Sequence, residues 1–210
     1  TLLDLERSLA LFWIADAGLV PEYIQAYPFT EIFSWWLEGR GYQVVHAAAV
    51  GTEQGAVLLP ARGYSGKSTT ALACVDQGLF FLGDDYCVVA PRPAPRILSL
   101  YNTLKLKNPE DLRLFPGFEA DLSNPDRLDQ EPPRLNLHGH HAPALPPALP
   151  ARAVLLPKIT GRKETTLKPA TAGAALKALA PSTIFQLPAD GQRVLAAASQ
   201  FLRGLPCHAL

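Results

Sequence analysis

A short loop with the composition of a phosphate-binding site lies between a predicted strand at 56–59 and a predicted helix at 67–77. Convergent backbone amides and the positive end of a helix bind phosphate groups at such a junction. In this setting a lysine contacts the β and γ phosphates of a nucleotide, and the following serine hydroxyl ligates Mg²⁺. We therefore predict that ATP and Mg²⁺ bind here. The predicted nucleotide-binding residues are Ala61, Arg62, Gly63, Tyr64, Ser65, Gly66, Lys67, Ser68 and Thr69.

Two residues of this loop depart from the general pattern. Ala61 stands where most such loops have glycine, and Tyr64 stands where many have a small residue. The alternative interpretation is an ordinary turn in which Lys67 is solvated and Ser68 caps the helix. The position between strand and helix favours phosphate binding.

Two adjacent carboxylates, Asp84 and Asp85, follow a short apolar stretch at 79–82. This stretch predicts a strand beside the strand at 56–59, and ligands bind at the carboxyl ends of such strands. Adjacent residues at a strand end point in different directions, which allows one metal ligand and one general base. The alternative is a pair of aspartates that caps a turn.

Hydrophobic periodicity and turn residues predict an α/β domain in which a mixed sheet is flanked by helices. We assign 1–41 to an N-terminal helical segment that packs on the core. The P-loop domain follows at 42–210, with a proline-rich loop region at 108–150 that is a candidate substrate flap. Helices are predicted at 2–17, 29–37, 67–77, 170–179 and 192–203, and strands or hairpins at 42–50, 56–59, 79–82, 97–107, 153–156 and 160–163.

Three of these motifs together resemble the HPr serine kinase/phosphorylase family and its bacterial serine-kinase-like relatives. They are the run from His46 to Val50, the loop with its Gly-Lys-Ser-Thr sequence, and the run from Gly83 to Tyr86. The resemblance implies a P-loop domain of the HPr kinase C-terminal type. It also implies an ATP-dependent kinase that transfers the γ-phosphoryl group to a hydroxyl, with serine in a protein or peptide as the acceptor.

The resemblance assigns roles to three side chains. It implies that Asp84 is the base toward the acceptor hydroxyl, while Asp85, with Ser68, lies near the metal and the phosphates. A family histidine before the P-loop strand matches His46, which implies a position near the γ phosphate or the attacking oxygen. From residue type alone, a histidine packed against the sheet is an equal alternative.

One family feature is not recognisable in the chain. The bifunctional enzymes carry a glycine-rich signature after the kinase motifs, and without it the resemblance does not imply phosphorylase activity. This departure, with Ala61 and Tyr64, supports an alternative function as a non-catalytic accessory module that binds a nucleotide or a peptide. The family also implies a homo-oligomer.

Composition limits the other partners. Nineteen basic residues balance nineteen acidic ones, so no charge pattern favours nucleic acid or an anionic membrane surface. The apolar stretches are shorter than the roughly 20 residues of a spanning helix. Three widely spaced cysteines without a CxxC pair are typical of free thiols, so we expect a cytoplasmic location.

Two weaker groups complete the candidates. Lys105 and Lys107 alternate on a predicted strand, where they either contact phosphate or form a solvated face. His138, His140 and His141 lie among prolines, with no acidic or cysteine partner at zinc spacing, which favours a solvated loop over a metal site.

Overall fold

The computed structural model of the protein describes residues 1–60, 63, 65–162 and 164–210. It shows a mixed α/β protein with a curled sheet and flanking helices, as the fold-class prediction expected. The strands are β1 (Leu2–Asp4), β2 (Leu9–Leu11), β3 (Gln43–His46), β4 (Ala48–Thr52), β5 (Gly55–Leu59), β6 (Phe80–Gly83), β7 (Tyr86–Ala90), β8 (Arg96–Leu98), β9 (Thr103–Lys105), β10 (Arg134–Asn136), β11 (Ala148–Leu156), β12 (Lys168–Ala170) and β13 (Cys207–Ala209).

The α-helices lie mainly after the strands that they cover. They are α1 (Glu22–Ala26), α2 (Thr30–Glu38), α3 (Lys67–Asp76), α4 (Pro109–Leu112), α5 (Ala172–Gln186) and α6 (Gly191–Leu202). Shorter 3-10 helices occur at Ala17–Leu19, Pro116–Asp121, Pro125–Arg127 and Ala142–Ala144. Within the described part of the chain, no helix is long and apolar enough to span a membrane.

The main sheet is mixed, with the strand order β3-β7-β8-β11-β5-β4-β6. β11 runs parallel to β5 and to β13, whereas the other pairs along this order are antiparallel. β6 was expected directly beside β5, but β4 lies between them. Because β4 is antiparallel to both, β5 and β6 still run in the same direction, and their carboxyl ends lie at the same edge of the sheet.

Two very short connections explain why the sheet curls. β3 and β4 lie near opposite ends of the strand order, yet only Ala47 links them. β6 and β7 also lie near opposite ends, and only Asp84 and Asp85 link them. The two ends of the sheet must therefore approach each other. We call these three residues the seam, where the Ala47 amide donates to the Asp85 carbonyl at 3.1 Å.

The sheet buries apolar side chains on both faces. On one face, α5 and α6 contribute Leu179 and Phe201 to a core with Leu58, Leu82 and Val89. On the other, α3 contributes Leu72 to a second core with Phe81 and with the loop-rich segment. This double burial accounts for the nearly continuous apolar sequence of the central strands.

The helix predicted at 2–17 is wrong. β1 and β2 instead form an antiparallel pair, with a turn between them in which Ser8 has φ 52°. The residues that suggested a helical stripe are exposed, including Leu2, Leu9 and Trp13. A short helix needs tertiary packing of its apolar face, and this segment lacks that packing. The second predicted helix is confirmed as α2.

The described elements of the proline-rich region that precede β11 are all short, and part of the region packs on the core. Its side chains Leu112, Phe118 and Leu135 are buried against the α3 face of the sheet. The hairpin predicted at 160–163 is also wrong, because 160–162 contain a bend and no strand. Lys163 lies outside the described residues.

Candidate functional site

Helix α3 begins at Lys67, where the sequence placed the end of the phosphate loop. Gly66 precedes it with φ 88°, a left-handed conformation that glycine adopts without strain. Gly63, Ser65, Lys67, Ser68 and Thr69 line the same cleft as Gly66. Ala61, Arg62 and Tyr64, also predicted to bind nucleotide, lie outside the described residues.

A buried ammonium group forms the centre of the site. Lys67 Nζ lies 2.9 Å from Asp84 Oδ1 and 2.5 Å from Asp85 Oδ1, and the lysine is only 6% exposed. Burial by itself lowers the pKa of Lys67, but the two carboxylates outweigh it and hold that pKa above its ordinary value. Lys67, Asp84 and Asp85, which we call the Lys67 cluster, thus form an ion-paired network in which Lys67 and Asp84 are buried and Asp85 is partly exposed.

Asp84 is the fully buried member of the cluster. Its Oδ1 accepts a hydrogen bond from Ser68 Oγ at 3.0 Å, and its Oδ2 accepts one from the Lys105 backbone amide at 3.3 Å. The sequence had paired Ser68 with Asp85 as metal ligands. The structure instead brings Ser68 to Asp84, because the buried aspartate points toward the first turn of α3.

Asp85 faces the cleft and remains partly exposed, with 23% of its side chain accessible. Its Oδ1 lies 3.3 Å from His46 Nε2, and its Oδ2 accepts a hydrogen bond from Tyr27 Oη at 3.4 Å. Burial by itself raises the pKa of Asp85, but Lys67 and His46 hold that pKa well below its ordinary value. Asp85 is therefore an ionised carboxylate that points into an accessible space.

The turn between β6 and β7 explains why adjacent aspartates point in different directions. Asp85 has φ 59°, and the Tyr86 amide donates to the Asp84 carbonyl at 2.7 Å. A Cβ on Gly83 would lie 2.8 Å from the Tyr86 carbonyl oxygen, so the backbone folds back this tightly only with glycine. The reversal directs Asp84 inward and Asp85 toward the cleft.

His46 ends β3 beside this turn and is 5% exposed. Its backbone amide donates to Thr183 Oγ1 at 3.0 Å, and its ring contacts Tyr86 edge-on. Its Nδ1 has no hydrogen-bond partner among the described residues. The ring therefore packs against the sheet and also touches Asp85. A position of His46 near a bound phosphate stays a prediction.

The site opens into a cleft of about 860 Å³, within the range of small-molecule pockets. Lys105 and Lys107 line it together with the start of α3, and Glu22 joins them from the N-terminal segment. Lys105 Nζ lies 3.5 Å from Glu22 Oε1. The cleft thus combines cationic side chains, a helix N-terminus and the accessible carboxylate of Asp85.

Comparison with known proteins gives a distant structural similarity. No family model matches the chain, and no curated protein matches it. Among solved structures, the chain is similar to the Hpr(Ser) kinase/phosphatase from Coxiella burnetii, with a TM-score of 0.39 and 12% sequence identity. The similarity covers 61% of this chain and 77% of that chain. At this distance it carries no information about activity.

Sequence reasoning missed some groups at the site. Tyr27 and Glu22 come from the segment that was expected only to cover the sheet, and no local motif marks them. Arg134, a buried cation of the loop-rich segment, pairs with Glu131 at 3.1 Å and with Gln25 at 3.4 Å.

The histidine group has an acidic partner that spacing did not reveal. Asp121 lies 2.9 Å from His140 Nδ1 and 3.1 Å from His141 Nε2, and His141 stacks on Phe118. Across the described ranges, no group of three or more His, Cys, Asp or Glu side chains is arranged to hold a metal ion.

The residues at the cleft fit Mg²⁺ and a phosphate chain. Magnesium prefers oxygen ligands and takes only one or two from the protein when phosphates supply others. Ser68 Oγ and Asp84 Oδ1 provide such a pair at 3.0 Å. The buried hydroxyl of Ser65, which also lines the cleft, has no hydrogen-bond partner among the described residues.

Proposed function

We propose that the protein is an ATP-dependent phosphotransferase that moves the γ-phosphoryl group to a hydroxyl, with serine in a protein or peptide as the acceptor class. The observation that carries the proposal is the Lys67 cluster at the start of α3. It joins a helix N-terminus, a buried ammonium, a hydroxyl–carboxylate pair and a cleft-facing carboxylate. The serine acceptor rests on the sequence resemblance alone.

In this proposal the loop before α3 binds the phosphates. Lys67 exchanges its carboxylate partners for the β and γ phosphates, and the amides around Gly66 face the same anion. Ser68 and Asp84 hold Mg²⁺, which neutralises charge that develops on the phosphates. This assignment exchanges the roles that the sequence gave the two aspartates, because Ser68 contacts Asp84.

Asp85 then serves as the general base. Its carboxylate takes the proton of the acceptor hydroxyl as the new oxygen–phosphorus bond forms and the bond between the γ phosphorus and the bridging oxygen breaks. ADP leaves with the electrons of the broken bond. His46 and Lys67 stabilise the Asp85 carboxylate before transfer, and Lys67 supports charge on the phosphates during it.

Calorimetric titration with ATP, with and without Mg²⁺, tests the binding half of the proposal. We expect Mg²⁺-dependent binding by the wild type and its loss in Lys67→Ala. Because that variant leaves two uncompensated carboxylates, its folding is checked by circular dichroism. Ser68→Ala is the second variant, since it keeps the charges of the cluster and removes only the hydroxyl.

We expect Ser68→Ala to weaken Mg²⁺-dependent ATP binding by about tenfold or more, equivalent to about 1.4 kcal/mol. Thr52→Ala on β4 is a matched hydroxyl deletion, because Thr52 is exposed and is not among the residues that line the cleft. Absence of ATP binding by folded wild-type protein would refute the phosphotransferase proposal.

The second candidate is a non-catalytic module that binds a nucleotide or peptide in the same cleft. The observation that favours it is the pairing of Lys67 with both aspartates, which satisfies the cluster without any phosphate. The residue types at Ala61 and Tyr64, which depart from the general loop pattern, also favour this second candidate. The non-catalytic function would be supported if the protein binds ATP but does not turn it over, either with diverse serine peptides as acceptors or with water alone.

A further inference from the structure

The N-terminal segment reaches the candidate site through one buried side chain. Tyr27 follows α1 and is only 4% exposed, and its hydroxyl donates to Asp85 Oδ2 over 3.4 Å. The two residues are 58 positions apart in the chain. A segment that the sequence identified only as a cover therefore contacts the carboxylate that faces the cleft.

Contacts from three parts of the chain surround Asp85. Lys67 and His46 both approach Oδ1, and Tyr27 is the described donor at Oδ2. The Asp85 backbone lies in the left-handed region, within a two-residue connection. Lys67 must leave Asp85 when it binds phosphate, so Tyr27 and His46 are the contacts that remain to orient the carboxylate.

Tyr27 is itself held in one orientation by an aromatic cluster. Its ring makes edge contacts with Tyr86 at 5.2 Å and with Tyr101 at 5.4 Å between centroids. The Tyr101 hydroxyl itself points away from Asp85 and donates to the Pro28 carbonyl oxygen at 2.7 Å. Burial, then the charges of Asp85 and Asp84, raise the pKa of Tyr27 well above its ordinary value, so its hydroxyl remains a donor.

We propose that Tyr27 is a positioning residue, which holds the Asp85 carboxylate in the orientation that proton transfer requires. The proposal rests on the proposed function, because it assigns Asp85 the role of base. A general base acts only within hydrogen-bond reach of the proton that it takes, and small misplacements slow transfer strongly. Loss of the Tyr27 hydroxyl should therefore slow the chemical step without weakening nucleotide binding.

The test compares Tyr27→Phe with Tyr101→Phe in the full chain. Both variants remove a buried, hydrogen-bonded hydroxyl from the same aromatic cluster, but only the first removes a contact with Asp85. The first readout is steady-state hydrolysis of Mg²⁺-ATP, with water as the acceptor. We expect Tyr27→Phe to lower kcat about tenfold or more with KM within twofold, and Tyr101→Phe to leave both near wild type.

Crystal structures of the two variants give a readout that does not depend on activity. We expect the Asp85 carboxylate to rotate or to occupy several conformers in Tyr27→Phe and to keep its orientation in Tyr101→Phe. An unchanged Asp85 in Tyr27→Phe, or an equal loss of kcat in both variants, would overturn the positioning role. If the wild type does not bind Mg²⁺-ATP, the proposed function fails, and the Asp85 conformation still decides whether Tyr27 orients it.

Discussion

At the scale of single residues, the two aspartates have different environments and should have separable roles. Asp84 is fully buried against Ser68, whereas Asp85 faces the cleft beside His46. Mg²⁺ should increase the affinity of the wild type for ATP. We expect Asp84→Asn to reduce this increase by tenfold or more, because a neutral amide is a poor magnesium ligand. Calorimetry at several Mg²⁺ concentrations measures this change.

Asp85→Asn should give the opposite result. We expect ATP binding close to that of the wild type and a kcat lower by about 10²-fold or more, because the amide cannot accept the acceptor's proton. Asp129→Asn is the matched control, since its carboxylate contacts only Gln130 in the described hydrogen bonds and does not line the cleft. Wild-type turnover by Asp85→Asn would show that Asp85 is not the base.

The Lys67 cluster should also make stability depend on pH. The pKa of Asp85 is lowered in the folded protein, so its stabilisation is present above its ordinary value of 3.8 and is lost as the pH falls below it. The pKa of Lys67 is raised, so its stabilisation is full below its ordinary value of 10.5 and is lost as the pH rises above it. We expect the free energy of unfolding, measured with urea from pH 3 to 7, to decrease less toward acid pH in Asp85→Asn than in wild type.

The residue types of the site could be predicted from the sequence, but their pairing could not. Lys67, Ser68 and the two aspartates belong to short local motifs. The contact of Ser68 with Asp84 depends on a left-handed residue at Asp85, and no motif marked that conformation. Tyr27 was missed for a different reason, since a contact across 58 positions leaves no periodic or compositional signal.

At the scale of elements, the turn that follows β6 determines where both carboxylates point. Gly83→Ala would place a Cβ 2.8 Å from the Tyr86 carbonyl oxygen and 3.0 Å from Cys87 Cβ. We expect this change to reduce the free energy of unfolding by about 1–3 kcal/mol, as overpacking does in other cores. It should also lower turnover, because Asp84 and Asp85 follow directly.

Gly117→Ala is the control for this prediction. Gly117 lies in a 3-10 helix, and a Cβ there would meet nothing within 4 Å. Its free energy of unfolding should therefore stay within about 0.5 kcal/mol of wild type. Equal urea midpoints for the two glycine variants would contradict the crowding described for Gly83.

Elements with internal apolar packing were predicted well, and elements without it were not. α2, α3 and α6 lie close to their predicted bounds, because each buries part of an apolar face. The segment at 2–17 has similar spacing, but its leucines are largely exposed and it pairs as two strands. Periodicity indicates a helix only where another surface covers the apolar stripe.

At the scale of the whole molecule, the site lies where the two ends of the curled sheet meet. An α/β class with a mixed sheet could be predicted from the alternation of strand and helix patterns. The strand order could not, because it depends on β4 lying between β5 and β6 and on β11 joining β8 to β5. The β4–β6, β11–β8 and β11–β5 pairings join segments that are distant in the chain and carry no local signature.

Because the site lies at the seam, ligand binding should change the accessibility of residues next to the seam. Cys87 follows the seam on β7 and is fully buried, and burial raises the pKa of its thiol to about 12. Cys74 on α3 is only half-buried. Burial also raises the pKa of the Cys74 thiol. At pH 8 we therefore expect iodoacetamide to modify Cys74 slowly but faster than Cys87, which reacts only when the sheet ends separate, since the thiolate is the reactive form.

Mg²⁺-ATP should slow the modification of Cys87 further, because a ligand that binds only the folded state stabilises it by about 2.7 kcal/mol at a hundredfold excess over Kd. Peptide-resolved mass spectrometry measures both rates in one sample, with Cys74 as the internal control. Protection of Cys87 that exceeds any change at Cys74 would indicate that the nucleotide holds the seam closed. Rapid modification of Cys87 in the native protein without ligand would contradict the buried seam itself.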